Sequence, residues 1–357
     1  MATGYFRKDY RAQVPVYAVA IAWSIVVLAL AQSKGVLPGI GGVLGNAKLF
    51  LASGVVFLTL DLFATLWRER PDSPIACLKQ RYGDPDLRRA FLAGVPLLLI
   101  VIVLMPLFSM MKSMIPLFND YTWDATFIAW DRALFFGQDA WRVLQPVFGY
   151  PVVTALIAVA YHLWMLLIYP GVLMLIYHPR VGEDTKRRFF FCYVLAWALV
   201  GGALATWLAS VGPAFLEPLT GDATFAPQMA YLNAANEQVP VMTLTVQGLL
   251  LDWFHADESG LGSGITAMPS MHVAIAFLYW LACREIDPKL GRAALIFLIV
   301  IWIGSVHTAY HYAVDGIVSG IAVLALWLLS KPVFNFWDRF SMRTGGAPVQ
   351  PESVPAE

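Results

Sequence analysis

Long apolar runs separated by short charged stretches dominate this chain. A helix needs about 20 apolar residues to cross the hydrocarbon core of a bilayer. Runs of that kind occupy approximately 14–32, 47–67, 89–111, 151–178, 188–211, 267–283, 291–308 and 312–330. The pattern predicts an all-α fold, a polytopic membrane helix bundle of about eight transmembrane helices. The sixth run is short and the last two are nearly continuous, so their limits are the least sharply drawn.

Charge orients the bundle, because short cytoplasmic loops are enriched in Lys and Arg. Arg7, Lys8 and Arg11 precede the first run, and Arg68, Arg70, Lys79, Arg81, Arg88 and Arg89 follow the second. Arg180, Lys186, Arg187 and Arg188 follow the fourth, Arg284, Lys289 and Arg292 the sixth, and Lys331, Arg339 and Arg343 the last. Eight spans put all of these on one side. The stretch between Val211 and Ser270 holds no Lys or Arg but carries Glu217, Asp222, Glu237, Asp252, Asp257 and Glu258. Both termini are therefore expected in the cytoplasm, with this acidic loop outside. The first run is long enough to span and lacks a small-residue cleavage site, so it reads as a retained helix.

Composition agrees: 59% of residues are hydrophobic and 13% charged, against roughly a quarter charged in soluble proteins. A net charge of zero offers nothing to a nucleic acid. Cys77, Cys192 and Cys283 form no paired framework.

Two segments on the outer side exceed simple turns. Residues 112–150 contain YTWDATFIAWDRALFFGQDAWRVLQ, with apolar residues at helical spacing, and read as one or two interfacial helices. Residues 212–269 are punctuated by Gly, Pro and Asn and are expected to cap what lies beneath. The tail from Thr344 has a disordered composition.

Two segments carry the chemistry: GITAMPSMHVAIAFLYW (264–280) and SVHTAYHYAVDGIVSG (305–320). They bring His272, His307, His311 and Asp315 to one membrane face. His311 and Asp315 are four apart, within reach of each other on a helix. A carboxylate bonded to one ring nitrogen fixes the tautomer and leaves the other nitrogen as nucleophile. His272 follows Pro269, Ser270 and Met271 at a helix N-terminus, where free N–H groups favour an anion. The reading is a phosphoryl-transfer site with His311 as nucleophile, Asp315 as orienter, His272 as acid, and Ser270 and Met271 as anion cradle.

The PSMH (269–272) and HYAVDG (311–316) segments resemble the second and third signature motifs of the type 2 phosphatidic acid phosphatase superfamily. The likeness is strongest to the inositol phosphorylceramide synthase branch, whose third motif similarly reads histidine-tyrosine-x-x-aspartate. It extends weakly to SVGPAFLEP (210–218) and DRALFFG (131–137). The resemblance implies a six-helix core and a phosphohistidine on His311. It divides the chain into a tip and two extra spans (1–88), a catalytic core (89–331) and a cytoplasmic tail (332–357). It implies a lipid-phosphate substrate and an alcohol or water acceptor, with no metal or organic cofactor.

The chain departs from the superfamily pattern at two places. The first motif, a lysine followed seven residues later by Arg-Pro, is absent, and Ser305 stands where an arginine precedes the last histidine. Both missing groups neutralise phosphate, and the phosphotransferase branch tolerates their loss better. The cations left on the outer side are Lys34, Lys48, Lys112, Arg132, Arg142 and His307. Of these, Arg132 and His307 are the expected phosphate contacts.

Other polar residues have plainer readings. His162 is expected to make a packing or interhelical bond, His178 to be solvated, and Asp61 to reach water or pair with a nearby arginine. His255 with Asp252, Asp257 and Glu258 reads as a solvated face rather than a metal site. A proton-relaying transporter would spread polar groups through the bilayer depth, whereas these gather at one face. A vanadate-dependent oxidase and a non-catalytic scaffold are the remaining alternatives.

Overall fold

The computed structural model describes residues 10–37, 39–256 and 264–343. Arg7, Lys8, Asp257, Glu258 and the tail from Thr344 lie outside them. The described residues are helical and contain no strand. Helix α1 (Val14–Ser33) is followed by α2 (Ile40–Glu69), the short α3 (Pro74–Gly83) and α4 (Pro85–Ser113). Two short helices, α5 (Asp124–Leu134) and α6 (Ala140–Phe148), lead to the long α7 (Pro151–Tyr177) and α8 (Glu183–Trp207). Next come α9 (Pro213–Thr220), α10 (Ala226–Gln238) and α11 (Met242–His255). The chain ends on α12 (Met271–Ile286), α13 (Pro288–His307) and α14 (Ala313–Arg343).

Seven of these helices, α1, α2, α4, α7, α8, α13 and α14, are long and apolar enough to cross a membrane. The protein is an integral membrane protein. The remaining expected span corresponds to α12, which has 16 residues and so rises only ~24 Å. It is short because Gly264–Pro269 approach it as irregular, bent chain and helix begins at Met271. Even so, α12 sits inside the bundle, packed chiefly on α13 and α14 and also on α8.

Outward faces carry Ile21, Phe63, Leu99, Leu156 and Ile321, as lipid-facing surfaces require. Inside, Phe189, Phe190, Tyr193, Leu278 and Trp327 form the largest cluster. Gly316 lets α14 approach Trp302 so closely that a Cβ would collide with the indole. At the end away from the histidines, Arg188 meets Glu285 at 3.1 Å and Arg187 meets Asp338 at 2.8 Å, joining α8, α12 and α14. Asp61 pairs with Arg81 at 2.7 Å and accepts from Tyr82 at 2.7 Å, as expected of it. The three cysteines are free.

The segment 112–150 does form two helices, but they do more than lie on a surface. The inner face of α5 buries Asp124, Phe127, Ile128 and Asp131, and α6 buries Trp141. Both helices contribute to a second apolar cluster with Phe215, Leu232, Met268 and Tyr312. This cluster covers the ends of α12, α13 and α14 where the histidines lie.

Candidate active site

The site forms where three helix ends converge. Ser270 caps α12, its hydroxyl accepting from the Val273 N–H at 3.4 Å. The first N–H groups of a helix have no acceptor within it, so those of Met271 and His272 are free of intrahelical bonds. Ser319 of α14 donates to the Ser270 carbonyl at 2.9 Å, locking the two helices together. The preceding irregular segment is held from the other side: Ala267 and Met268 donate to the carbonyl and hydroxyl of Ser210.

Helix α13 ends at His307, and the chain turns sharply through Ala309, whose φ is +63°. The N–H groups of Tyr310 and His311 both return to the Ser305 carbonyl, at 3.0 and 3.1 Å. Ser305, at the place of the arginine in the family pattern, is fully buried beneath this turn. Gln228 donates to the Val306 and His307 carbonyls and Gln247 to that of Thr308. Helices α10 and α11 thereby satisfy the last carbonyls of α13.

The N-terminus of α14 is closed by carboxylates. Asp315, three residues into the helix, accepts from the Tyr312 N–H at 3.1 Å with the same oxygen that meets His311 Nδ1 at 3.1 Å. Asp131 of α5 accepts from the Ala313 and Val314 N–H groups, both at 2.8 Å. Seven residues earlier on the same helix, Asp124 accepts from Val211 (3.0 Å), Gly212 (2.9 Å) and the Tyr312 hydroxyl (2.7 Å). Burial pushes both carboxyls of α5 upward, and the backbone N–H groups pull them back. Neither residue was anticipated as part of the site. The available signal was their spacing, which puts two acids on one face of an otherwise apolar helix.

His272 faces His311 with ring centroids 6.2 Å apart. It is sandwiched by Tyr161 (4.4 Å, 22° between planes) and Trp164 (4.2 Å), and the Trp164 indole donates to its carbonyl at 3.0 Å. Tyr310 stacks on the far side of Tyr161 at 5.3 Å. This aromatic wall from α7 escaped the sequence reading, since aromatics near span ends also serve as interface anchors. A small cavity behind His311 is lined by Asp131, Trp141, Gln228 and Tyr312. Burial draws the His311 imidazole down to about 3, opposed by the Ala267 carbonyl. The ring is therefore neutral and holds a free electron pair.

The structure brings His272, Ser270, Met271, His311 and Asp315 together. His307 and Arg132 stand apart. His307 Nε2 is bonded to Thr154 Oγ1 at 2.9 Å, and Thr154 to the Tyr231 hydroxyl at 2.6 Å. Because the helix stops at His307, the ring of His311 is not one helical turn further along the same face. Arg132 points to Asp139 at 2.7 Å and is 44% exposed. Among the described residues no hydrogen bond or ion pair joins it to His272, His311 or Asp315. His162 Nδ1 bonds the Ala158 carbonyl of its own helix at 2.8 Å, and His178 accepts from the Arg180 N–H at 3.2 Å. Among the described residues no group of three His, Cys, Asp or Glu side chains is placed to hold a metal ion.

Fold and site together define a polytopic helical membrane protein with a His–Asp pair and a second histidine at the end of its bundle. A profile of the PAP2 superfamily, the type 2 phosphatidic acid phosphatases, matches residues 125–329. That is more than half of the 357 residues, and the chain belongs to this superfamily. Its members are phosphatases and phosphotransferases, which supports an enzyme of lipid-phosphate chemistry. No curated protein matches the chain, and no solved structure does.

Proposed function

We propose that this protein transfers a phosphoryl-linked group from one lipid to an alcohol acceptor through a phosphohistidine on His311. The observation that carries the reading is the pairing of His311 Nδ1 with Asp315 Oδ2 at 3.1 Å, with the His272 ring opposite. Asp315 takes the Nδ1 proton as a hydrogen bond, so Nε2 presents its lone pair. Nε2 attacks phosphorus while the bond from phosphorus to the leaving alcohol oxygen breaks. His272, which takes up a proton together with the bound anion, gives it to that oxygen. In the second half, the acceptor hydroxyl attacks phosphorus, its proton passes to His272, and the phosphorus–nitrogen bond breaks. Ser270 and Met271, at the N-terminus of α12, line the anion cradle.

Water as acceptor would make the same site a phosphatase. Transfer is favoured by the covering helices α9 to α11 and the aromatic wall around His272, which limit water at the reacting atoms. The loss of the basic groups expected of the phosphatases argues the same way, and is consistent with the inositol phosphorylceramide synthase branch. The charge distribution puts both termini in the cytoplasm and the site at the opposite membrane face.

The test is product analysis with the full chain in nanodiscs, beside its His311→Ala variant, on phospholipids, ceramide and polyprenyl phosphates. A new phospholipid formed only by the unaltered protein supports transfer, and free phosphate supports hydrolysis. Equal turnover by both proteins removes His311 as nucleophile.

A further inference from the structure

A phosphate group taken out of water needs compensating positive charge, and the two expected cations are otherwise engaged. Arg132 is held by Asp139 and His307 by Thr154. Arg142 also turns to Asp139 and lies over the Trp141 ring. Lys34 donates to the Leu117 carbonyl at 2.9 Å and sits over the Phe118 ring. Lys48 is exposed on α2. Lys112 remains, in the last turn of α4.

The packing brings the last turn of α4, which carries Lys112, beside the segment that holds His272. One turn earlier on the same helix, Phe108 meets Trp197 at 4.5 Å, and Trp197 meets Trp164, the residue packed on His272. Phe108 and Met271 converge on the same small space over Gly201. Gly264, at the start of the chain leading to His272, lies directly on the Lys112 backbone, with no room for a Cβ. The ammonium is within electrostatic reach of both His272 and His311. Among the described residues it makes no hydrogen bond or ion pair, and the side chain is half-buried. The nearby carboxylates do not spend it: Asp124, Asp131 and Asp315 each face backbone N–H groups around the His311 turn.

We infer that Lys112 is the cation that binds the phosphate oxygens between His272 and His311. This rests on the phosphoryl-transfer reading above. It assigns the missing charge to α4, a helix outside the residues 125–329 that the superfamily profile matches. A lysine suits the task, as a mobile point charge on a long stem can follow phosphorus from substrate to phosphohistidine.

The experiment is equilibrium dialysis of radiolabelled orthophosphate against the full chain in detergent, comparing Lys112→Met and Lys112→Arg with the unaltered protein. Loss of one charge-assisted contact predicts binding weaker by about ten- to a hundredfold in Lys112→Met. Lys112→Arg should retain most of it. A second measurement needs no variant: orthophosphate should slow amine labelling of Lys112, read by peptide mass, and leave Lys48 unaffected. Unchanged phosphate binding in Lys112→Met, or labelling of Lys112 indifferent to phosphate, overturns the inference, and His311-dependent turnover then still stands. If the unaltered protein binds no phosphate and its turnover ignores His311→Ala, the site reading falls and this inference with it.

Discussion

Nδ1 of His311 lies 3.1 Å from Oδ2 of Asp315, across the mouth of α14 rather than along one of its faces. The helix begins at Ala313, so His311 stands outside it and Asp315 reaches back. The same oxygen takes the Tyr312 N–H, as the acidic member of a capping box does. One carboxylate thus ends the helix and orients the His311 ring.

Asp315→Asn keeps the shape and removes the charge that selects the tautomer. Turnover should fall by about 10²–10⁴-fold with a smaller change in KM. Steady-state kinetics on the lipid found in the product panel checks this. A large rise in KM with kcat preserved would instead mean that Asp315 serves binding.

Asp131→Ala leaves the N–H groups of Ala313 and Val314 without their acceptor in a buried turn. Each such orphan costs about 1–3 kcal/mol, so the apparent melting temperature should drop. Displacing His311 by an ångström is enough to lose about 10²-fold in kcat. Asp131→Asn, which retains one acceptor oxygen, should recover part of both losses.

Gly212 has φ +85°, and a Cβ there would stand 2.8 Å from both the Ala267 Cβ and the Tyr310 carbonyl oxygen. Gly212→Ala adds backbone strain of about 1–3 kcal/mol and pushes on the loops holding His272 and His311 together. Activity should fall further than stability, as measured by turnover against thermal unfolding in the same preparation.

The buried His311 gives stability a defined pH dependence. Its ordinary value is 6.5 and its folded value about 3, so between these the unfolded chain binds the proton and the folded chain does not. Stability is therefore lost as pH falls below 6.5 and continues to fall toward 3. Thermal unfolding from pH 8 to 4 should show a shallower acid decline in His311→Gln than in the unaltered protein. Parallel curves would contradict a neutral buried ring.

Much of this molecule follows from one-dimensional signals. A span declares itself because its residues must be apolar all round in lipid, and seven of the apolar runs became long helices. The PSMH and HYAVDG segments disclosed the His272, His311 and Asp315 constellation, since chemistry at helix ends needs those residue types whatever surrounds them. The reading of His307 as a phosphate contact rested on its place one helical turn before His311, and that of Arg132 on the family likeness of its segment; in the structure a sharp turn at Ala309 separates the two histidines and Arg132 pairs with Asp139.

Alone, the amino-acid sequence determined that the chain lives in a membrane, which superfamily it resembles and which histidines share one end. Only tertiary structure decided how that end is held: by Asp131, 182 and 183 residues from the N–H groups of Ala313 and Val314, by Asp124, 188 residues from the Tyr312 hydroxyl, by the Tyr161 and Trp164 wall, and by the approach of α4 at Lys112. The reason is physical. Hydrophobic runs and short motifs are properties of neighbours in sequence, whereas hydrogen-bond partners and charge compensation depend on which helix ends meet, and that is settled only by packing the whole bundle.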